Sequence, residues 1–256
     1  MQAHERISAA LRAANDSGRP ALVPFITAGY PDPQEFIATL KAVAEVGDVV
    51  EVGIPFSDPM ADGMTIQRSS FEALRKGVSL RWIFDQLDGA AGEIDAPLVM
   101  MSYLNPLLAF GYEALAERAK AAGVCGFIVP DLPFEESAPL RTALDTQGLA
   151  LVQLVTPATP PERLAMLCRE SQGFVYAVTR TGITGAGSGL PAESADYLAA
   201  VAAASDLPVC AGFGVRTHEH VATIGAHADG VIVGSALIEA LERGESAAAF
   251  LRALRP

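Results

Sequence analysis

Two carboxylates in one short segment, Glu51 and Asp62 in EVGIPFSDPMADG, are the residues of this chain best suited by type and spacing to do chemistry. Two acids that face one ligand can divide acid and base roles when their environments separate their pKa values. Glu51 falls in an apolar run, DVVEVGI (48–54), which reads as a strand. Strand side chains alternate, so Val49, Glu51 and Gly53 share one face while Val50 and Val52 share the other. A carboxylate enclosed among such residues is costly unless paired. Burial also raises its pKa towards the range where a proton can be both given and taken. The alternative is a structural carboxylate held by backbone amides or a buried arginine. Asp58, before Pro59, and Asp62, before Gly63, both have ordinary turn chemistry as a second reading. Asp62 stands apart because it shares a loop with Glu51.

Three glycine-bearing segments have the character of a phosphate site. They are TGITGAGSGL, with glycines at 182, 185, 187 and 189, then Gly212-Phe213-Gly214, then Gly234-Ser235 opening the helical segment SALIEALER. Backbone amides exposed by glycine, with a helix N-terminus, bind anions without a lysine. Singly, each glycine also reads as a tight turn; the first segment also reads as a lid. Tyr176 lies within an apolar run and reads equally as core packing. Phe25, Met101, Tyr103, Ile128 and Phe213 suit either a core or an aromatic substrate.

Other chemistries lack their residues. The lysines, Lys41, Lys76 and Lys120, fall on or near helical segments, so no strand end offers a Schiff-base amine. His218 and His220 are two apart on a helical segment and do not share a face. No metal-ligand constellation is legible, and no serine is placed with a histidine base. What remains is carboxylate acid–base chemistry on a phosphorylated substrate.

Eight short apolar runs must position these residues: 21–27, 48–54, 97–103, 125–131, 150–155, 173–179, 207–212 and 229–234. Amphipathic segments such as PQEFIATLKAVAEVG, YEALAERAKAAG and PERLAMLCRES separate them. Near-continuous apolar strands alternating with helices indicate a parallel sheet buried on both faces. A doubly wound open sheet competes, but it rarely uses eight even units, and no GxGxxG follows the first run. The expectation is an α/β single-domain (β/α)8 TIM barrel over residues 1–256. The N-terminal MQAHERISAALRAAND adds a helix with Ile7, Leu11 and Ala14 on one face. Such barrels typically need about 250 residues and work at the C-terminal ends of their strands.

Half the residues are hydrophobic, enough for a large core. The net charge of -12 argues against nucleic-acid and membrane-surface partners. Cys125, Cys168 and Cys210 are far apart in apolar or helical contexts and read as reduced thiols in the cytoplasm. The N-terminus has no secretory h-region, and no stretch approaches the roughly 20 apolar residues that span a bilayer.

PFITAGYPD, EVGIPFSDPMADG, PDLPFEES, YAVTRTGITG, GFGV and VIVGSAL, in that order, resemble the motifs of the α subunits of tryptophan synthase. The similarity spans essentially the whole chain. It implies retro-aldol cleavage of indole-3-glycerol phosphate to indole and glyceraldehyde 3-phosphate, with no cofactor in this chain. By the resemblance, Glu51 protonates indole C3 and takes the glycerol hydroxyl proton, Asp62 holds the ring N–H, and Tyr176 positions Glu51 or the substrate. Gly185, Gly214, Gly234 and Ser235 would hold phosphate; Phe25, Met101, Ile128 and Phe213 would line the indole pocket; Thr184 would order the lid. The resemblance further implies a pyridoxal-phosphate-dependent β subunit, usually in an α2β2 heterotetramer, contacted by 57–60 and LNPLLAFG (104–111). Leu107, Leu108 and Phe110 read equally as packing under the next helix. The alternatives are a different phosphate-binding barrel enzyme, a stand-alone indole-3-glycerol-phosphate lyase and a non-catalytic regulatory barrel subunit.

Overall fold

The computed structural model describes residues 1–179, 190–212 and 214–255. Its strands are β1 (Ala21–Thr27), β2 (Val50–Gly53), β3 (Leu98–Met101), β4 (Val124–Ile128), β5 (Ala150–Val155), β6 (Val175–Val178), β7 (Val209–Gly212) and β8 (Gly230–Val233). Each pairs in parallel with the next, and β8 pairs with β1, which closes the barrel. The helices are α1 (Ala3–Asp16), α2 (Phe36–Ala44), α3 (Met64–Arg75), α4 (Leu80–Gly89), α5 (Leu104–Phe110) and α6 (Tyr112–Ala121). They continue as α7 (Ala138–Gln147), α8 (Pro161–Glu170), α9 (Ala192–Ala204), α10 (His218–Gly225), α11 (Ser235–Glu242) and α12 (Ala247–Leu254).

The alternation read from the sequence is realised as a (β/α)8 barrel with α1 added before it. The second, third and eighth units each carry one helix more than a simple repeat. Several strands are shorter than their apolar runs, for local reasons. In the second run Asp48 does not continue the ladder; its carboxylate accepts from Leu22 N at 2.8 Å and from both terminal nitrogens of Arg19 at 2.8 Å. The fourth run stops at Ile128, two residues before Pro130, which has no N–H to give. PQEFIATLKAVAEVG divides into a 3-10 turn, Pro33–Glu35, and α2.

Two apolar layers result. Val50 and Val52 join the layer between barrel and helices. Val23, Val49, Val99, Val152, Cys210 and Ile232 fill the interior, together with Ile7, Leu11 and Ala14 of α1. Helix α1 plugs the N-terminal mouth, held by Ser8 Oγ donating to Gly173 O at 2.5 Å and Asn15 Nδ2 to Asp229 O at 2.8 Å. The opposite mouth is left for the site.

Asp48 also receives Arg255 from the end of the chain at 3.3 Å, so one carboxylate ties β1, β2 and the C-terminus. Its removal strands two partly buried guanidinium groups and one amide. Asp48→Ala is expected to cost about 2–4 kcal/mol in urea unfolding; a loss below half a kilocalorie would show the cluster to be ornamental.

Candidate active site

Glu51 enters the barrel from β2, beside its register partners Phe25 on β1 and Val99 on β3. Gly53, two residues on, has no side chain because the ring of Phe25 occupies the space; a Cβ there would lie 2.4 Å from Phe25 Cζ. Glu51 is 1% exposed, and neither carboxylate oxygen has a hydrogen-bond partner among the described residues. The structural alternative required amides or an arginine around it, and among the described residues none reaches it. Burial, and secondarily the charge of Asp62, raise its pKa from 4.5 to about 8. At neutral pH Glu51 is thus a protonated acid held within reach of deprotonation.

Asp62 closes the β2–α3 loop over the mouth. Its Oδ2 accepts from the Tyr103 hydroxyl at 3.0 Å, and that same oxygen of Tyr103 accepts from Ala61 N at 2.8 Å. The Tyr103 ring stacks on Phe56 at 5.1 Å, so an aromatic pair of buried Tyr103 and half-buried Phe56 fixes both ends of the loop. Burial raises the Asp62 pKa from 3.8 to about 6, while the Tyr103 bond opposes the rise. The carboxylate of Asp62 therefore does not serve as a turn cap. Asp58 is different: exposed, it accepts from Ser57 Oγ at 2.5 Å and keeps its turn reading.

Tyr176 points inward from β6, in register with Leu154 and Cys210. Burial first, then the charges of Glu51 and Asp62, raise its pKa. It makes no hydrogen bond to Glu51 among the described residues. Gly53, Met101 and Ile128 are successive register partners across β2, β3 and β4; Met101 is half-buried and Ile128 fully buried in the interior. With Phe25 they form an apolar wall above Glu51.

Gly234 is the N-cap of α11, and Ser235 begins that helix, so its first amides point to the mouth. A Cβ on Gly234 would sit 3.7 Å from Phe25 and 3.8 Å from Ile66, which puts this helix end beside the apolar wall. Gly214 takes the left-handed conformation, φ +74°, which favours glycine. Thr184, Gly185 and Phe213 lie outside the described residues.

What sequence reading missed is the tie of Tyr103 to Asp62. Tyr103 was legible only as an aromatic residue near a strand end; its bond to Asp62 spans 41 residues and two βα units. The segment 104–111 resolves into separate roles. Leu107 is core and Phe110 packs edge-on to Phe84 at 5.6 Å, whereas Leu108 is 57% exposed. Met60 and Met64, flanking Asp62, are exposed at 86% and 77%.

Fold and site together define a class: a (β/α)8 barrel with two electrostatically coupled acids, an apolar wall and a helix N-terminus at its C-terminal mouth. A family model described as "Tryptophan synthase alpha chain" matches residues 11–254. A tryptophan synthase alpha chain of Desulfovibrio desulfuricans is 46% identical over 94% of this chain and 96% of its own length. One of Bacillus cereus is 45% identical over 91% of this chain and 90% of its own. A solved tryptophan synthase structure from Mycobacterium tuberculosis superposes with a TM-score of 0.89 at 38% identity, covering 97% of this chain and 96% of that one. A tryptophan synthase subunit alpha from Legionella pneumophila gives 0.88 at 32% identity, covering 99% and 97%. The chain belongs to the tryptophan synthase alpha chain family. It is accordingly a carbon–carbon lyase of tryptophan biosynthesis, whose reaction is the cleavage of indole-3-glycerol phosphate. Among the described residues no helix is long and apolar enough to cross a membrane.

Proposed function

We propose that Glu51 and Asp62 carry this cleavage as an acid–base pair, and that the chain acts as one catalytic domain. The observation that carries the reading is the buried carboxyl of Glu51, unpaired among the described residues and close enough to Asp62 to feel its charge. Between about pH 6 and about pH 8 the pair holds Asp62 ionised and Glu51 protonated. That is the state the first step needs. Glu51 gives its proton to indole C3, and Asp62 accepts the ring N–H as positive charge develops on the ring. Glu51, now a carboxylate, takes the proton of the glycerol hydroxyl. The C–C bond breaks with its electrons returning to the ring, which releases indole and glyceraldehyde 3-phosphate and restores the acid. Tyr176 packs beside the acids and orients substrate or Glu51. The pH profile is a bell whose limbs belong to the coupled pair.

The indole ring rests on Phe25, Met101, Ile128 and Phe213. The phosphate sits on the amides of Gly214, Gly234 and Ser235, with Gly185 and the lid residue Thr184 completing the site. Gly234→Asp tests this placement cleanly, because a Cβ there meets only ordinary contacts and the added charge faces the phosphate. KM should rise by roughly tenfold or more. An unchanged KM would move the phosphate elsewhere.

Met60 on the β2–α3 loop, Met64 at the start of α3 and Leu108 on α5 expose apolar side chains that suit a protein partner. That partner is the pyridoxal-phosphate-dependent β subunit in a cytoplasmic α2β2 assembly. Indole release from indole-3-glycerol phosphate, assayed with and without a β subunit, tests the whole reading. Stimulation by the β subunit is the expected result. High activity unmoved by the β subunit would mark a stand-alone lyase, and silence under both conditions a non-catalytic barrel.

A further inference from the structure

Helix α11 is fastened to the rest of the mouth by two glutamates on one face, Glu239 and Glu242. Glu239 draws on two segments at once. Arg216, two residues beyond Gly214 on the β7–α10 loop, grips it bidentately: Nη1 to Oε2 at 2.6 Å and Nη2 to Oε1 at 3.0 Å. Thr65, three residues beyond Asp62 in the first turn of α3, donates its hydroxyl to Oε1 at 3.2 Å. Glu242 repeats the tie one turn later, accepting from Tyr30 at 2.6 Å and from Arg68 of α3 at 2.7 Å. One carboxylate thus joins three segments that each carry a proposed site residue: Gly214, Asp62, and Gly234–Ser235 at the head of its own helix.

We infer that Glu239 is a positioning residue, holding the phosphate seat in register with the Asp62 end of α3. This rests on the phosphate placement proposed above. A lone surface ion pair contributes little, but a bidentate guanidinium–carboxylate pair in a network, with the carboxylate 24% exposed, is the geometry in which such contacts matter. Pulling α11 and α3 apart separates the group that anchors the substrate from the group that meets its ring nitrogen. Small misplacements of this kind cost rate without touching the chemistry.

The two arms predict different kinetic signatures. Arg216→Ala loosens the phosphate seat: the Kd of glycerol 3-phosphate should rise roughly three- to tenfold, with kcat for indole release within about twofold of the parent. Thr65→Val loosens the Asp62 arm: kcat should fall roughly threefold or more while the Kd for glycerol 3-phosphate holds. Glu239→Ala should show both effects, and adding Arg216→Ala to it should raise Kd little further. If Glu239→Ala lowers only Tm and leaves Kd and kcat unchanged, Glu239 is structural and the inference fails. Independent, additive effects of Arg216→Ala and Glu239→Ala on Kd would overturn it equally. If the unsubstituted chain binds no glycerol 3-phosphate, the phosphate placement falls first and takes this inference with it.

Discussion

Replacing Glu51 by glutamine is expected to lower kcat by about 10²–10⁴-fold, the usual size of a general acid–base contribution, with little change in KM. The amide keeps the shape of the side chain but has no proton to exchange. The same variant should be more stable than the parent at high pH. The native state keeps a proton on Glu51 that the unfolded chain has released, because burial lifts the folded pKa from 4.5 to about 8. The contribution of Glu51 to stability is therefore intact below pH 4.5 and is lost as pH rises to about 8. Glutamine removes that loss, by an amount on the order of a few kcal/mol. Urea unfolding at pH 5 and pH 9 would show the parent weakening and the variant holding. Near-normal turnover by Glu51→Gln would remove Glu51 from the mechanism, whatever its stability.

Asp62→Asn should reduce kcat by roughly 10²-fold or more, since a neutral amide cannot stabilise positive charge on the ring. Its pH profile is the sharper test. The acid limb, which reports ionisation of Asp62 near pH 6, should vanish. The alkaline limb should move below about 8, because the Asp62 charge is one of the two causes lifting Glu51. Tyr103→Phe is the companion. Its hydroxyl donates to Asp62 and holds that pKa down, so its loss should carry the acid limb above about 6 while leaving the limb in place. A profile for Asp62→Asn with both limbs where the parent has them would show that Asp62 does not titrate in the reaction. A Tyr103→Phe profile unmoved on the acid side would reduce Tyr103 to packing.

The strand phase of DVVEVGI is a case in which local pattern determined a tertiary fact. Once Val50 and Val52 face the helices, Glu51 has nowhere to point but inward, and Val49 in the interior layer follows the same parity. The eight apolar runs were legible for a similar reason, because a strand buried on both faces must be apolar throughout. Their ends were not. Asp48 leaves the ladder to bind Arg19 and Leu22, a choice set by partners 29 and 26 residues away. The extra helix α5 was read as a partner-contacting segment or as packing under the next helix, and not as a helix itself, because LNPLLAFG is too short for a helical period to declare itself. Its division into core Leu107 and exposed Leu108 depends on which neighbour covers each side.

By itself, then, the sequence determined the barrel, the inward direction of Glu51, the glycine-bearing strand ends and, through six ordered motifs, the family. Those properties follow from periodicity, from side-chain type and from near neighbours along the chain. Only the tertiary structure decided that Glu51 is unpaired among the described residues, that Asp62 is held by Tyr103, and that Glu239 fastens α11 to α3 and the β7–α10 loop. The last two join residues from different βα units. A partner of that kind is set by barrel closure and register, and leaves no mark on the spacing of residues along the chain.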